Sequence, residues 1–238
     1  MKRLQSFFKL AILPIALFVS YGSFAQNSRA NYVRGQYINP IGQYSDFYSQ
    51  GFGVEYGHTF YFDVVMGDLF TPGIDVTFME VGFNSGKTYD YSYEASPVAD
   101  SLLNYYKTQD GFLMTAGPKI GLAVQMELID GLCVAASAKY CPTLVFGTRT
   151  SVTDTRTLGG HQLSQKKETA GCFAFSNRFS INLELKYQWF SFGGEFLFGK
   201  ANLDYNKDII PDFTQTPVLQ DRADLGMNTF KLYIGFNF

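Results

Sequence analysis

Hydrophobic and polar residues alternate along the segment 173–189. Its odd positions, apart from Asn177, carry large apolar side chains, and its even positions carry small or polar ones, among them Arg178, Glu184 and Lys186. Successive side chains of a β-strand point to opposite faces, so a period of two predicts a strand with one apolar and one polar face. A helix of this sequence would spread its charges around its whole circumference.

The same pattern recurs along the chain. It runs over 112–128 and, after the turn-forming dipeptide Asp130-Gly131, over 132–146, which predicts a hairpin of long strands. Further segments complete a set of eight predicted strands: 32–38, 52–62, 74–83, 190–203 and 230–238. A tilted strand needs roughly 9 to 11 residues to cross a bilayer, and single-chain outer-membrane barrels normally have an even number of strands.

Short and long connections alternate between the predicted strands. The connections after the second, fourth and sixth strands are short or modest: 63–73, 130–131 and a turn near Trp189. The connections after the third, fifth and seventh strands are long: 84–110, 148–171 and 204–228. In membrane barrels the short turns face the periplasm and the long loops face outward. We therefore predict an all-β, eight-stranded antiparallel up-and-down transmembrane β-barrel with short periplasmic turns, long extracellular loops and both termini in the periplasm.

The alternation alone does not say which face lines the barrel, since a soluble barrel buries its apolar face. Here the apolar faces are so rich in Phe that they would overcrowd an eight-stranded lumen, and a charge facing lipid near the midplane costs about 2–4 kcal/mol. We therefore expect the charged faces to point inward and to fill the lumen as a polar plug. The expected lumen network comprises Arg34, Glu55, Asp75, Lys119, Glu127, Lys139, Arg178, Glu184, Lys186, Glu195 and Lys231.

The first 25 residues have the form of a secretory signal peptide. Lys2, Arg3 and Lys9 precede or flank an apolar run over 10–19, and a small-residue cleavage site ends at Ala25. Residues 26–238 then form one barrel domain, exported through the Sec pathway to the outer membrane of a Gram-negative bacterium. The formal net charge of −2 gives no reason to expect a nucleic-acid partner, whereas 24 Phe and 16 Tyr exceed what an ordinary soluble core requires.

Several segments resemble a known family. The segments "SFAQN", "GQYINPIGQYSDFYSQGFGVEYG" and "AGPKIGLAV", with a last strand that closes on Phe, resemble the small outer-membrane β-barrel proteins of Bacteroidota, the PorT-like group. In architecture these are similar to OmpX and to the OmpA transmembrane domain. The resemblance implies outer-membrane lipid and the barrel-assembly machinery as partners, and the assembly signal it implies is Phe230, Leu232, Ile234, Phe236 and Phe238. PorT is tied to the type IX secretion system, but no motif here selects that role.

Candidate chemistry is sparse, and we expect no catalytic residue, metal or cofactor. His58 falls near the periplasmic end of its strand, and His161 and Ser164 lie on a predicted loop that lacks the rigidity general-base catalysis needs. Cys141 and Cys172 lie on neighbouring strands, so a disulfide is conceivable if the register aligns them. The leading interpretation is a non-catalytic, structural or partner-binding barrel, possible partners being a secretion-system or other envelope complex. The alternatives are a rim-located lipid A-modifying enzyme and, less favoured, a narrow pore.

The second long loop is the candidate partner-binding loop, because binding residues concentrate on loops held by a rigid scaffold. It holds five tyrosines, which suit contacts with protein or glycan or cap the barrel: Tyr89, Tyr91, Tyr93, Tyr105 and Tyr106. Ser96-Pro97 before the segment 98–107 predicts a short helix over the rim.

Overall fold

The computed structural model describes residues 31–62, 65–66, 70–91, 102–129, 131–157, 162–203 and 222–238. The predicted signal peptide and His161 lie outside these ranges. One short helix is described, α1 (Gln43–Phe47). The strands are β1 (Asn31–Pro40), β2 (Tyr48–Tyr61), β3 (Phe70–Gly86), β4 (Thr88–Tyr91), β5 (Leu102–Ile129), β6 (Leu132–Thr157), β7 (Gln162–Tyr187), β8 (Phe190–Leu203), β9 (Arg222–Gly226) and β10 (Thr229–Asn237).

Eight of these strands form a closed antiparallel ring in the order β10, β1, β2, β3, β5, β6, β7 and β8, with β8 pairing back onto β10. The chain closes the ring with its first and last strands, from the pair Tyr32–Asn237 to the pair Pro40–Thr229. Closure satisfies the backbone groups that an open sheet would leave at its edges. The predicted eight-stranded antiparallel barrel is therefore confirmed.

The two ends of the barrel differ. One end, here called the turn end, carries the tight connections at Gly131 and at Gln188 and both described termini, where the Asn31 amide donates to the Phe238 carbonyl oxygen at 3.2 Å. The opposite end, here called the loop end, carries α1 between β1 and β2. Among the helices that can be described, none has the length and apolar character to span a membrane.

The outward face of the ring is an apolar belt. On β7 the outward residues from Phe173 to Tyr187 are 45–68% exposed except for the polar Asn177, while the inward residues between them are buried. Outward apolar residues that define the belt on the other ring strands include Val33, Tyr37, Phe52, Val54, Tyr56, Phe78, Met79, Val81, Phe83, Met114, Ile120, Leu122, Val124, Leu144, Phe146, Phe192, Phe196, Phe198, Leu232, Ile234 and Phe236. The charged faces point inward, which is the reverse of a soluble barrel.

A β-bulge interrupts the alternation on β3. The pairing of β3 with β5 shifts between Thr77 and Glu80, so that Phe78 and Met79 are both exposed on the outward face. Above the bulge the phase of the strand is reversed, and Glu80 points into the lumen at 5% exposure. The sequence carries the signal for this bulge, since the apolar residues of β3 move from even to odd positions at this point.

Two of the predicted long loops are largely strands. The segment 148–171 continues the β6–β7 ladder as far as the pair Arg156–Gln162, and β5 begins at Leu102 rather than near Phe112. The helix predicted over 98–107 is wrong from Leu102 onward, because this backbone pairs with β6. Thr is the commonest residue in the facing part of β6, and it favours a strand even where both faces are polar. The segment 92–101 and most of 204–228 lie outside the described residues.

These extensions form a sheet beyond the ring, here called the projecting sheet: β4 with residues 102–109 of β5, 150–157 of β6 and 162–169 of β7. Eight residues of strand span about 25 Å, so the sheet stands well clear of the belt. β7 pairs with β8 only from Asn177 to Tyr187. Within the described structure, residues 162–171 of β7 therefore have a neighbouring strand on one side only.

Two glycines provide a matched test of lumen packing. A Cβ on Gly193 would lie 2.3 Å from the Tyr233 hydroxyl oxygen and 2.6 Å from the Leu183 carbonyl oxygen, whereas a Cβ on Gly35 would meet no atom within 4 Å. We expect Gly193→Ala to displace Tyr233 and to lower the free energy of unfolding by about 1–3 kcal/mol. Gly35→Ala should change it by less than about 0.5 kcal/mol. Urea unfolding of the barrel refolded in detergent micelles measures both, and equal effects would contradict the described packing.

Candidate functional site

A buried ammonium surrounded by carboxylates occupies the centre of the lumen. Lys119 Nζ lies 2.7 Å from Glu55 Oε2 and 2.7 Å from Glu195 Oε2, and it also contacts the Glu80 carboxylate. The four side chains come from β5, β2, β8 and β3, and each is at most 7% exposed. Buried charges are tolerated when they are paired in this way, so one cation joins four strands across the lumen.

Arg34 extends this centre toward the turn end. Its guanidinium donates to Glu55 Oε1 at 2.7 Å and to Glu184 Oε2 at 2.8 Å. The same guanidinium carbon lies 3.7 Å from the centroid of the Tyr32 ring and 4.7 Å from that of Tyr233. A planar cation between two aromatic rings and two carboxylates is held by both cation–π attraction and charge-assisted hydrogen bonds.

Further pairs flank the centre. Lys139 Nζ lies 2.9 Å from Asp75 Oδ2, and the Tyr32 hydroxyl donates to Asp75 Oδ1 at 2.7 Å. Lys231 Nζ lies 2.6 Å from Glu80 Oε1, so Glu80 bridges two lysines. Near the turn end, Lys186 donates to the Tyr61 hydroxyl at 3.0 Å.

Arg178 lies at the loop-end limit of the charged region. Its guanidinium donates to the Met227 carbonyl at 3.2 Å and to the Thr229 hydroxyl at 2.9 Å. In the part of the chain that can be described, no carboxylate pairs with it. Neutral oxygens near the last strand therefore hold this cation in place.

An apolar plug lies at the loop end of the lumen, above the charges. It consists of Tyr44, Tyr48, Leu113, Val145, Cys172, Ala174, Ala201, Leu203, Leu225 and Met227, all at most 8% exposed. Tyr44 comes from α1, and its hydroxyl donates to Asn84 Oδ1 at 3.0 Å. The described side chains thus fill the lumen with two layers, one charged and one apolar.

Most of the predicted lumen residues lie together in the charged layer, but Glu127 does not. It is exposed beside the β5–β6 turn, and its carboxylate accepts from the Gly131 amide at 3.4 Å. The inward phase of β5 reaches solvent there, so the expectation for Glu127 is corrected. Side chains that the prediction missed complete the layer: Glu80, Gln36, Tyr32, Tyr61, Asn182 and Tyr233. The prediction missed Glu80 because the bulge reverses the phase of β3. The inward phase of their strands could have indicated the other five residues.

Three carboxylates of the layer could in principle hold a metal ion. Oxygens of Glu55, Glu80 and Glu195 lie within 4.8 Å of one another, which suits a hard cation. Lys119 contacts all three residues, so its ammonium takes the position that a metal would occupy. The arrangement fits a lysine cage and not a metal site.

The residues considered for chemistry lie far apart. His58 is half-buried near the turn end, where Nδ1 lies 2.7 Å from Asn31 Oδ1 and the ring packs against Phe60. Cys141 pairs in register with Arg178, and Cys172 pairs with Gly147. The register does not align the two thiols for the disulfide considered from the sequence, and no disulfide joins them.

The candidate partner-binding tyrosines fall mainly in the projecting sheet. Tyr89 and Tyr91 lie on β4, and Tyr105 and Tyr106 lie on β5, with Tyr91 directly opposite Tyr106. Tyr93 lies outside the described residues. Of the predicted assembly-signal residues on β10 and just after it, Phe230 is half-buried and the others face outward at 40–63% exposure: Leu232, Ile234, Phe236 and Phe238.

A closed ring of eight strands, an outward apolar belt and a charged lumen define a transmembrane β-barrel of the outer-membrane type. No protein-family model and no curated protein matches the chain. Among solved structures, the chain is similar to Ail, the attachment invasion locus protein of Yersinia pestis, at 12% identity over 88% of this chain and 97% of Ail, with a TM-score of 0.25. It is also similar to CarO of Acinetobacter baumannii, at 10% identity over 86% and 97% of the two chains, with a TM-score of 0.25.

The ion-pair layer leads to a stability prediction. Glu55→Gln removes one charge that faces Arg34 and Lys119, and breaking a buried pair on one side costs about 3–5 kcal/mol. Glu127→Gln changes an exposed carboxylate and should alter the free energy of unfolding by less than about 0.5 kcal/mol. Urea unfolding in detergent micelles compares the two variants. Similar stabilities would show that the layer contributes little.

Proposed function

We propose that this protein is a non-catalytic integral outer-membrane β-barrel that presents the projecting sheet to a protein partner outside the cell. The observation that carries the proposal is the edge of β7, where residues 162–171 have a neighbouring strand on one side only among the described residues, on a rigid, filled barrel. An exposed edge strand is a template for pairing with an extended segment of another protein. The proposed location is the outer membrane of a Gram-negative bacterium, reached through the Sec pathway, with both termini periplasmic.

The distribution of side chains supports the membrane location. Apolar residues such as Leu183 and Ile234 are more than 60% exposed on the ring, while Lys119 and Arg34 are buried at 2%. Water would favour the opposite arrangement, because exposing so much apolar surface is costly. A hydrocarbon environment removes this cost and explains the inward charges.

The projecting sheet supports partner binding. Four of the five candidate tyrosines lie on β4 and β5, the first strands of the projecting sheet. The β7 edge is the opposite edge of this sheet. Lys166 and Glu168 on β7 form an ion pair, and charged side chains on an edge discourage indiscriminate pairing while leaving the backbone available. A partner in a secretion-system or other envelope complex, and membership of the PorT-like group, are part of the proposal.

The competing functions have less support. A lipid A-modifying enzyme needs a positioned acid–base pair at the loop end. Among the described residues no histidine lies there, since His58 lies near the turn end, where its ring nitrogen is paired with Asn31. A pore needs a continuous path, and the described lumen contains the charged layer below the apolar plug. The proposed signal for the barrel-assembly machinery remains the set Phe230, Leu232, Ile234, Phe236 and Phe238.

Two leucines of β7 test the membrane location. Leu183 lies midway along the outward row at 62% exposure, and Leu163 lies in the projecting sheet at 58% exposure. In a bilayer, Leu183→Arg should destabilise the barrel by about 2–4 kcal/mol, whereas Leu163→Arg should cost less than about 1 kcal/mol. Unfolding from lipid vesicles measures the difference. Equal effects, or recovery of the native protein in the soluble periplasmic fraction, would reject the membrane proposal.

Two glutamines test the partner proposal. Gln165 is exposed on the β7 edge, and Gln188 is exposed in the turn at the opposite end. A photo-crosslinking amino acid at position 165, in cells of the source bacterium, should give one discrete adduct with a surface or secreted protein. The same substitution at position 188 should not give that adduct. A common adduct at both positions, or none at 165, would contradict the proposal.

A further inference from the structure

A polar patch interrupts the apolar belt on three neighbouring strands. It consists of Tyr140 on β6, Asn177 on β7 and Lys200 on β8, all with exposed side chains on the outward face. Asn177 lies directly opposite Lys200 in the β7–β8 register, and the Tyr140 hydroxyl donates to Asn177 Oδ1 at 2.5 Å. The three residues thus form one continuous patch.

The patch lies at the loop-end limit of the barrel wall. Asn177–Lys200 is the last β7–β8 pair toward the loop end, and the next outward pair toward the turn end is Phe179–Phe198. The rings of Phe179 and Phe198 are stacked with centroids 6.3 Å apart, and the Tyr140 ring packs 5.5 Å from Phe179. An aromatic collar below a polar patch is the arrangement expected where a barrel passes from hydrocarbon into headgroups.

Among the described residues, no carboxylate compensates the positive charge of the patch. Across the described ranges of the chain, Lys200 forms no ion pair with a carboxylate. The exposed Asp224 on β9 is two residues from Gly226, which pairs with Lys200, but the two side chains are not bonded. Asn177 accepts from Tyr140 through its oxygen, so its amide nitrogen remains a donor next to the ammonium. The patch therefore offers two hydrogen-bond donors at the membrane interface, the Asn177 amide and the cationic Lys200 ammonium.

We propose that Asn177 and Lys200, with Tyr140 orienting the Asn177 amide, bind the phosphate of a membrane lipid in the leaflet at the loop end. The phosphate compensates the charge of Lys200 and accepts a hydrogen bond from the Asn177 amide. The acyl chains of the same lipid then lie on the Phe179–Phe198 collar. Basic residues next to the hydrocarbon attract anionic headgroups, and a lysine there extends its ammonium toward them. The inference rests on the proposed membrane location, but it concerns a lipid site distinct from the β7 edge.

The test uses the full barrel refolded in neutral detergent micelles and titrated with bisphosphorylated lipid A. The matched probe is the same lipid with both phosphates removed. Native mass spectrometry counts the bound lipid. We expect Lys200→Gln to weaken binding of the phosphorylated lipid about fivefold, the effect of one lost charge contact. Lys167→Gln, an exposed lysine of the projecting sheet, should leave the affinity unchanged, and Lys200→Arg should retain it.

The outcomes are distinct. Equal affinity of the wild type and Lys200→Gln for the phosphorylated lipid, or equal affinity of the wild type for both lipids, would overturn the proposal. Displacement of the lipid by millimolar inorganic phosphate would identify a free-anion site and would also overturn it. If Lys200→Gln does not fold by circular dichroism, Asn177→Ala replaces it with the same expected direction. Because micelles are used, failure here leaves the location test with Leu183 unaffected.

Discussion

The structure depends on enclosing charge inside a ring of strands. Lys119 contacts Glu55, Glu80 and Glu195, so its ammonium is shared by three strands besides its own. Each of these charges would be costly alone in a low-dielectric interior, but together they satisfy one another. The requirement acts across the barrel and not along a strand, so it selects the register in which all four side chains meet. An inward charged face in turn leaves the outward face free to be largely apolar.

The loop end of the barrel is completed by the apolar plug and the projecting sheet. At the loop end the apolar plug covers the charges, and α1 contributes Tyr44 to it. Beyond the plug β5, β6 and β7 continue as the projecting sheet, whose strands need no lumen because they pair with one another. The filled lumen stabilises the barrel, and the projecting sheet is available for recognition. Residues of the sheet can therefore change without disturbing the lumen. The polar patch around Lys200 lies at the boundary between these two regions.

Much of this architecture could be read from the period of two. The inward positions of Arg34, Lys119, Lys139 and Glu184 follow from alternation alone, because a strand leaves only two faces. The exceptions have local causes. Glu80 is inward only because the bulge at Phe78 and Met79 reverses the phase of β3. The projecting parts of β6 and β7 were not predicted because polar residues on both faces leave no apolar alternation to detect.

The sequence by itself determined the class of fold, the number of ring strands and the side of each strand that carries charge. These are local properties, set by side-chain spacing and turn residues. Tertiary structure decided which charges meet, that Glu127 remains in solvent, that Cys141 and Cys172 lie apart, and how far β5 to β7 extend beyond the ring. These properties depend on register between strands distant in sequence. Alternation fixes the face of a residue but leaves its height in the barrel undetermined, so only the closed ring could assign partners to Lys119.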